Sequence, residues 1–160
     1  MGMTNIRIIR DQLLRGRKTV AVAESVTAGL LQFRLAGAED AAQFFQGGIT
    51  AYNLGQKYRH LRVEPIHAQS CNCVDEQVAI EMAKNVCRLF CSQWGLSITG
   101  YATPVPESDN RLYAWYAITQ GDELLLSQQL HATSATPSAV QEWYAEMALS
   151  AFANILTYGH

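Results

Sequence analysis

The sequence has 160 residues, a formal net charge of −2 and 16% charged residues, which fits one domain with a substantial core and argues against a second full domain. No run of lysine or arginine stands out, which argues against a nucleic-acid-binding surface. No apolar stretch approaches the roughly 20 residues that a membrane-spanning helix requires, and the charged N-terminus lacks a signal-peptide core, so we expect a cytoplasmic protein without membrane contacts.

Helical and strand-like segments alternate along most of the chain. Apolar residues at helical spacing predict helices over residues 4–15, 27–36, 53–60, 76–91 and 137–158. Runs of β-favouring residues predict strands over 19–23, 43–52, 94–99, 112–119 and 123–130. Residues 61–73 and 101–110 are predicted to be connections. Asp75 is a suitable cap for the fourth helix, and Pro137 fits the first turn of the fifth.

This order of elements predicts the architecture. Strands that alternate with helices favour parallel pairing, whereas the tight turn at Gly121 and Asp122 makes the last two strands an antiparallel hairpin. We therefore predict a three-layer α/β/α fold with a mixed, mainly parallel sheet, formed by residues 1–160 as a single domain.

The first strand ends at a Glu24–Ser25 pair, and the next predicted helix begins directly after it. Ser25 and Thr27 therefore lie at a helix entrance. A hydroxyl in this position can cap the free backbone N–H groups of the first turn. Alternatively, it can face a cleft in which those N–H groups and the helix dipole stabilise developing negative charge. The pattern alone leaves both roles open, and capping is the commoner one.

Other polar side chains also follow predicted strands, where open α/β sheets bind their ligands. Tyr52 and Lys57 follow the second strand as Ser25 follows the first. A serine nucleophile needs a group that takes its proton, and a lysine can do so if burial lowers its pKa. Tyr52 could orient that amine or relay a proton. The alternative is a surface lysine beside a half-buried strand tyrosine.

The cysteines and histidines offer a second type of chemistry. The four cysteines are Cys71, Cys73, Cys87 and Cys91. A four-thiolate zinc site is conceivable, but the spacing is not the paired C-x-x-C pattern of such sites, and buried thiols are the simpler interpretation. The histidines show no ligand spacing with one another. We therefore predict no metal and no organic cofactor.

Several separated motifs occur in a characteristic order along the chain. They are A-E-S-x-T-x-G-L at 23–30, G-G-x-x-x-Y at 47–52 followed by Lys57, E-x-V-x-x-E-M-A at 76–83 and S-I-T-G at 97–100. Together they resemble the CinA C-terminal-domain family over nearly the whole chain. The resemblance implies an anticodon-binding-domain-like α/β/α fold. It also implies nicotinamide-nucleotide amidase activity, in which the carboxamide of nicotinamide mononucleotide is hydrolysed to the acid and ammonia.

The resemblance also implies roles for individual residues. Ser25 corresponds to the nucleophile and Lys57 to the base, with Tyr52 beside them as a third catalytic residue. Substrate-binding positions are expected near the strand ends, with an oxyanion held by backbone N–H groups around Thr27–Gly29; these positions are Thr27, Ala28, Gly29, Gly48, Thr99 and Gly100. Gly48 is otherwise explained as a bend or bulge in a strand. The expected partner is a small nucleotide or amide.

The sequence departs from the family pattern where substrate is expected to bind. The family's T-G-G is Thr27-Ala28-Gly29 here, and its glycine-rich I-A-G-P-G-G loop is replaced by residues 101–107, which contain two prolines. The family's S-G-D-R-like stretch corresponds to 131–138, which has no arginine or lysine. These changes leave an alternative open: a catalytically inactive, diverged paralogue that serves as a nucleotide-binding or protein-interaction module.

Several aromatic residues lie in the C-terminal third of the chain, among them Tyr113, Trp115 and Trp143. Their number is consistent with a homodimer or higher homo-oligomer in which some of them are covered by a second copy. Ordinary packing within one core explains them equally well.

Overall fold

The computed structural model describes residues 2–159. Six helices and five strands follow one another along this part of the chain. The helices are α1 (Gly2–Gly16), α2 (Leu30–Ala36), α3 (Leu54–Leu61), α4 (Pro65–Ser70), α5 (Glu76–Phe90) and α6 (Pro137–Tyr158). The strands are β1 (Val20–Glu24), β2 (Phe45–Thr50), β3 (Trp94–Gly100), β4 (Tyr113–Gln120) and β5 (Glu123–His131).

The strands form one sheet in the order β2-β1-β3-β4-β5. The strand β1 pairs in parallel with both β2 and β3, whereas β4 runs antiparallel to β3 and to β5. Four strands therefore share one direction, and only β4 runs against them. The predicted mixed, mainly parallel sheet is confirmed.

Side chains along each strand point alternately to the two faces of the sheet, so the core is divided between two helical layers. Val20 and Val22 of β1 pack on the face covered by α1, α2 and α6. Ala21 and Ala23 point to the opposite face and pack with residues of α3, α4 and α5. Because side chains of a strand alternate between its two faces, a fully buried strand can serve both layers. The result is the predicted three-layer α/β/α arrangement.

The structure corrects two of the sequence predictions. Residues 61–73 contain the short helix α4, whose first turn is capped by the Glu64 carboxylate accepting from the backbone N–H groups of Ile66 and His67. Pro65 occupies the first position of this helix, where a missing N–H costs nothing. The helix α2 begins at Leu30 rather than at Thr27.

Other local predictions hold. The Asp75 side chain accepts a hydrogen bond from the Val78 N–H and caps α5, and Pro137 lies in the first turn of α6. Within residues 2–159, no helix combines the length and apolar character that crossing a bilayer requires.

Candidate functional site

A pocket of about 390 Å³ opens at the carboxyl ends of the parallel strands. At this edge, Ser25 and Tyr101 directly follow β1 and β3, and Tyr52 lies two residues beyond the end of β2. Parallel strands bring all three exits to the same side of the sheet, so residues distant in sequence share one cavity. The lining residues are Ser25, Tyr52, Asn53, Leu54, Lys57, Ala68, Gln69, Asn72, Cys73, Val74, Thr99, Gly100 and Tyr101.

The side chain of Ser25 is free to face this pocket because another residue, Glu24, accepts the hydrogen bonds of the backbone N–H groups at the start of α2. The buried Glu24 carboxylate accepts hydrogen bonds from the backbone N–H groups of Leu31 and Gln32, each at 2.9 Å. It also accepts from the Thr27 hydroxyl at 2.6 Å. Because Glu24, the last residue of β1, caps α2 in this way, the Ser25 hydroxyl does not serve as a helix cap. It is buried at 5% exposure.

Lys57 reaches the same point from α3. The Asn53 side chain accepts from the Gln56 N–H and starts the helix directly after β2. Lys57 then lies one turn into α3, on the face that also carries the buried Leu61, as expected for residues four apart. Its side chain is 1% exposed. The Lys57 Nζ lies 2.8 Å from Ser25 Oγ and donates to the Ala51 carbonyl, also at 2.8 Å.

Burial changes the acid–base behaviour of this amine. The loss of solvation lowers the pKa of Lys57 from 10.5 to about 8, and the neighbouring Cys73 thiol opposes this effect. Within residues 2–159, none of the salt bridges involves Lys57. An unpaired buried ammonium is costly, which favours the neutral amine. A neutral amine beside a serine hydroxyl is chemically able to accept its proton.

Tyr52 lies at the pocket mouth rather than in its depth. Its side chain is 70% exposed, and its contact with Ser25 is through the backbone carbonyl, which lies 3.5 Å from the Ser25 hydroxyl. Within residues 2–159, the amine of Lys57 has two hydrogen-bond partners, and the Tyr52 hydroxyl is neither of them. The structure thus gives Tyr52 a lining position.

Four residues expected to bind substrate lie elsewhere. The Thr27 hydroxyl is buried against Glu24. Ala28 and Gly29 form a left-handed turn, with φ of 52° and 103°, that leads the chain into α2. A side chain at Gly48 would lie 2.6 Å from a Val22 methyl group, so this glycine allows close packing of β1 against β2. None of the four lines the pocket.

Thr99 and Gly100 do line the pocket, and each has a structural reason to be there. The Thr99 hydroxyl donates to the Cys73 carbonyl at 2.7 Å and ties β3 to the opposite pocket wall. A Cβ atom on Gly100 would lie 2.4 Å from the Cβ of Ala114. Both residues therefore shape the cavity through packing and backbone contacts.

The sequence interpretation missed several lining residues, above all Tyr101. Its hydroxyl is buried and has no hydrogen-bond partner in the part of the chain that the structure describes. Burial also raises the pKa of this hydroxyl, so it keeps its proton. The sequence signal was its place directly after β3, equivalent to that of Ser25 after β1. The side-chain amides of Gln69 and Asn72 were missed because α4 was not predicted, and Asn53 was interpreted only as the start of the helix predicted over 53–60.

A larger hollow of about 970 Å³ lies between α1 and α2, far from these residues in the fold. Its lining includes Arg7, Arg10 and Phe33, and none of the predicted site residues. We assign the candidate site to the smaller pocket because only there do a nucleophile and a base converge.

The fold and the site together define a class: an α/β/α protein with a buried serine–lysine pair in a pocket at the carboxyl edge of its sheet. The sequence model of the CinA C-terminal domain matches residues 4–156. The chain belongs to the CinA C-terminal domain family, which confirms the resemblance of its motifs.

Curated relatives are named competence-damage inducible proteins. The chain is 35% identical over 97 residues to a competence-damage inducible protein of Alkaliphilus oremlandii, an alignment that covers 61% of this chain and 24% of the relative. A protein of the same name from Desulforudis audaxviator is 39% identical over 98 residues, with the same coverage of both chains. The chain therefore corresponds to about a quarter of the length of these relatives.

Solved structures show the same fold. A CinA superfamily protein from Klebsiella pneumoniae 700603 superposes with a TM-score of 0.92 at 22% identity, covering 99% of both chains. A CinA superfamily protein from Escherichia coli superposes with a TM-score of 0.90 at 22% identity, covering 97% of this chain and 90% of the other. At these identities the similarity establishes the fold.

Proposed function

We propose that the chain is a serine–lysine amidohydrolase that hydrolyses the carboxamide of nicotinamide mononucleotide or of a related small amide. The observation that carries this proposal is the 2.8 Å contact between Ser25 Oγ and Lys57 Nζ at the edge of a pocket, with both side chains buried. Serine is a weak nucleophile unless a neighbouring group takes its proton, and a lysine whose pKa is near 8 can do so close to neutral pH.

In the first half of the reaction, the Ser25 oxygen attacks the amide carbon while its proton passes to the neutral Lys57 amine. The resulting tetrahedral intermediate carries a negative oxygen. It collapses as the C–N bond breaks and Lys57 returns the proton to the departing nitrogen, which leaves as ammonia. The product of this half is an ester between the acyl group and Ser25.

In the second half, water attacks the ester carbon and gives one proton to Lys57. The C–O bond to Ser25 breaks, the proton returns to the serine oxygen and the carboxylic acid leaves. The overall change is one amide and one water to one acid and one ammonia. It requires no redox partner.

Backbone N–H groups at the start of α3 are the candidates for stabilising the negative oxygen of the tetrahedral intermediate. The N–H groups of a helix's first turn have no partner within the helix, and Asn53 and Leu54 line the pocket beside Lys57. The Asn53 side chain satisfies the Gln56 N–H, which leaves the N–H groups of Leu54 and Gly55 as the candidates. This replaces the expected role of the turn over residues 27–29, which lies outside the pocket.

The lining also indicates how an amide could be recognised. The Tyr101 hydroxyl is buried and has no hydrogen-bond partner among the residues that the structure describes. A ligand that supplies a partner therefore gains a hydrogen bond at little cost in lost hydration. The neutral side chains of Asn53, Gln69 and Asn72 add donors and acceptors around the cavity. These groups suit the polar amide and hydroxyl groups of a small substrate.

Measurement of ammonia release tests the proposal directly. The protein is incubated with nicotinamide mononucleotide, with its dephosphorylated nucleoside and with simple aromatic amides. We expect ammonia from at least one of these substrates, loss of that activity in Ser25→Ala, and full activity in Ser134→Ala, which changes an exposed serine. Ammonia release from none of them, or release that Ser25→Ala leaves unchanged, would rule the amidase out.

A second function, that of a catalytically inactive paralogue serving as a nucleotide-binding or protein-interaction module, follows if the pocket no longer accepts the mononucleotide substrate, and one observation favours this loss. Among the described residues, no arginine lines the pocket, and Lys57, the only lysine there, already donates to Ser25 and Ala51. A phosphate is normally bound by charge-assisted contacts that this lining does not supply. Titration calorimetry that detects nucleotide binding while no ammonia is released would favour this function over the amidase.

A further inference from the structure

Three side chains with metal-binding atoms converge where α4 leads into α5. They are His67, Cys71 and Asp75, and their nitrogen, sulfur and oxygen atoms all lie within 4.8 Å of one another. The His67 Nε2 lies 2.5 Å from the Asp75 Oδ2. The last contact is a direct hydrogen bond, which an ion would replace when it entered between the three atoms. An imidazole, a thiol and a carboxylate are ligand types that zinc takes.

The local structure brings these groups together from two helices. His67 lies within α4, and Cys71 follows four residues later at its end, so both project from the same side. The turn over Asn72 and Cys73, with φ of 53° and 63°, then returns the chain so that Asp75 can start α5. The sequence alone does not reveal this cluster, because the helix that places His67 and Cys71 on one side is short.

Asp75 and the helix turn that carries His67 are each held in position by a separate contact. One oxygen of Asp75 accepts from the Val78 N–H at 2.9 Å, which leaves the other oxygen directed at His67. The His67 backbone N–H donates to the Glu64 carboxylate, which fixes the first turn of α4. Such supporting contacts orient ligands before the ion arrives.

We infer that His67, Cys71 and Asp75 form a site for a single divalent zinc ion, with the fourth position open to water. One nitrogen, one thiolate and one carboxylate oxygen is a mixed ligand set that zinc accepts in tetrahedral geometry. The His67 and Asp75 side chains are 41% and 29% exposed, so the ion can enter from solvent. Only three protein ligands are present within residues 2–159.

A zinc ion here would act on the wall of the candidate pocket. The segment that it would clamp includes Gln69, Asn72 and Cys73, all of which line that pocket. Binding to the folded chain would join the end of α4 to the start of α5 and stabilise this wall. The inference concerns residues outside the serine–lysine pair, so it does not depend on the proposed amidase activity.

Cobalt is a suitable probe because its bond to a thiolate absorbs in the near ultraviolet. Reduced protein is titrated with Co²⁺ without oxygen, and Zn²⁺ is then added to displace it. We expect saturation at one equivalent, a thiolate-to-cobalt band and displacement by Zn²⁺. Cys71→Ser should remove the band, whereas Cys91→Ser, which changes an exposed cysteine, should keep it.

Histidine variants provide a second, independent readout. His67→Ala should weaken Zn²⁺ binding by about tenfold or more, while His60→Ala, on the exposed side of α3, should leave it unchanged. Zn²⁺ should raise the melting temperature of the parent and of His60→Ala but not of His67→Ala. Because His67 is partly exposed, its variant should fold even if Cys71→Ser does not, and circular dichroism checks this.

Several results would overturn the inference. These are the absence of saturable binding at one equivalent, a thiolate band that survives in Cys71→Ser, and equal zinc affinity in His67→Ala and the parent. Ion binding that disappears only in Cys91→Ser would assign it to the exposed thiol instead.

Discussion

The amine of Lys57 and the hydroxyl of Ser25 lie 2.8 Å apart, although 32 residues separate them in the chain. Both groups are almost fully buried. A buried lysine that lacks a carboxylate partner is electrostatically unfavourable as a cation. The pair therefore links the protonation state of Lys57 to both activity and stability.

Amide hydrolysis should increase as the pH rises through about 8, because the neutral form of Lys57 is the proton acceptor and its pKa is about 8. A pH profile of kcat/KM measures this. Lys57→Arg, which keeps the positive charge throughout this range, should lower turnover by about 10²–10⁴-fold. Lys18→Arg, at an exposed lysine, should keep the parent profile. A profile that falls between pH 7 and 9 would contradict the base role.

Stability should also depend on pH through Lys57. The unfolded chain keeps this proton up to about pH 10.5, whereas the folded protein releases it at about 8. Between these values the unfolded state binds more protons, so the free energy of unfolding rises with pH. The gain in the parent relative to Lys57→Met is on the order of 3 kcal/mol across the full window.

Urea unfolding of both proteins at several pH values between 7 and 10 measures this difference. Titrating groups remote from Lys57 are common to the two proteins and cancel in the comparison, whereas the neighbouring Cys73 does not. A difference that stays constant, or that shrinks as the pH rises, would show that Lys57 is not desolvated in the folded protein.

Glu24→Gln should destabilise the protein by about 3 kcal/mol and lower any activity that depends on Ser25. The carboxylate accepts from the Thr27 hydroxyl, from the Leu31 and Gln32 N–H groups and from the Gln32 side chain. A glutamine has an NH₂ group in place of one carboxylate oxygen, and this group cannot accept hydrogen bonds from the N–H and O–H groups around it. Each lost charge-assisted bond costs about 1.5–3 kcal/mol.

Thermal and urea unfolding measure the effect of Glu24→Gln. Glu39→Gln, at an exposed position before β2, should change the free energy of unfolding by less than about 0.5 kcal/mol. Equal stability of the two variants would mean that Glu24 does not organise the turn into α2.

Gly48→Ala should act on stability, because this glycine lies against β1 and outside the pocket. The added Cβ would lie 2.6 Å from a Val22 methyl group, 2.7 Å from the Val22 carbonyl and 2.8 Å from the Gln32 side chain. Such overpacking costs about 1–3 kcal/mol. Gly55→Ala is the matched control, since its Cβ would meet nothing closer than 3.6 Å.

In α3, the Gly55→Ala change should raise the free energy of unfolding by about 0.5–1 kcal/mol. Differential scanning calorimetry checks whether Gly48→Ala lowers the stability of the protein and Gly55→Ala raises it. If Gly48→Ala instead kept the parent stability and raised KM, Gly48 would be a substrate-binding residue after all.

Tyr101→Phe should stabilise the free protein and weaken substrate binding at the same time. The hydroxyl is buried without a partner, a condition that costs about 1–3 kcal/mol, so its removal should raise the free energy of unfolding by about 1 kcal/mol. If the substrate supplies the missing partner, KM should rise by about tenfold. Tyr158→Phe, at a side chain that is 84% exposed, is the control. A variant that loses stability would contradict the unpaired state of this hydroxyl.

The sequence by itself determined the order of the elements and hence the layers of the fold. The alternation of β-favouring and amphipathic segments predicts the mixed sheet because periodicity reports directly which side chains are buried. Parallel pairing also requires Ser25, Tyr52 and the residue after β3 to emerge at one edge. The motifs around Ser25 and Lys57 identified the family.

Only the tertiary structure decided which of those residues share the cavity. Glu24 caps α2 from the end of β1, so Ser25 is available to contact Lys57, while Thr27 turns into the core. The short helix α4 brings Gln69, Asn72 and Cys73 to the pocket and joins His67 to Cys71. The contact between Ser25 and Lys57 joins residues 32 apart in the chain, and packing and desolvation decide it. Local sequence patterns report neither of these effects.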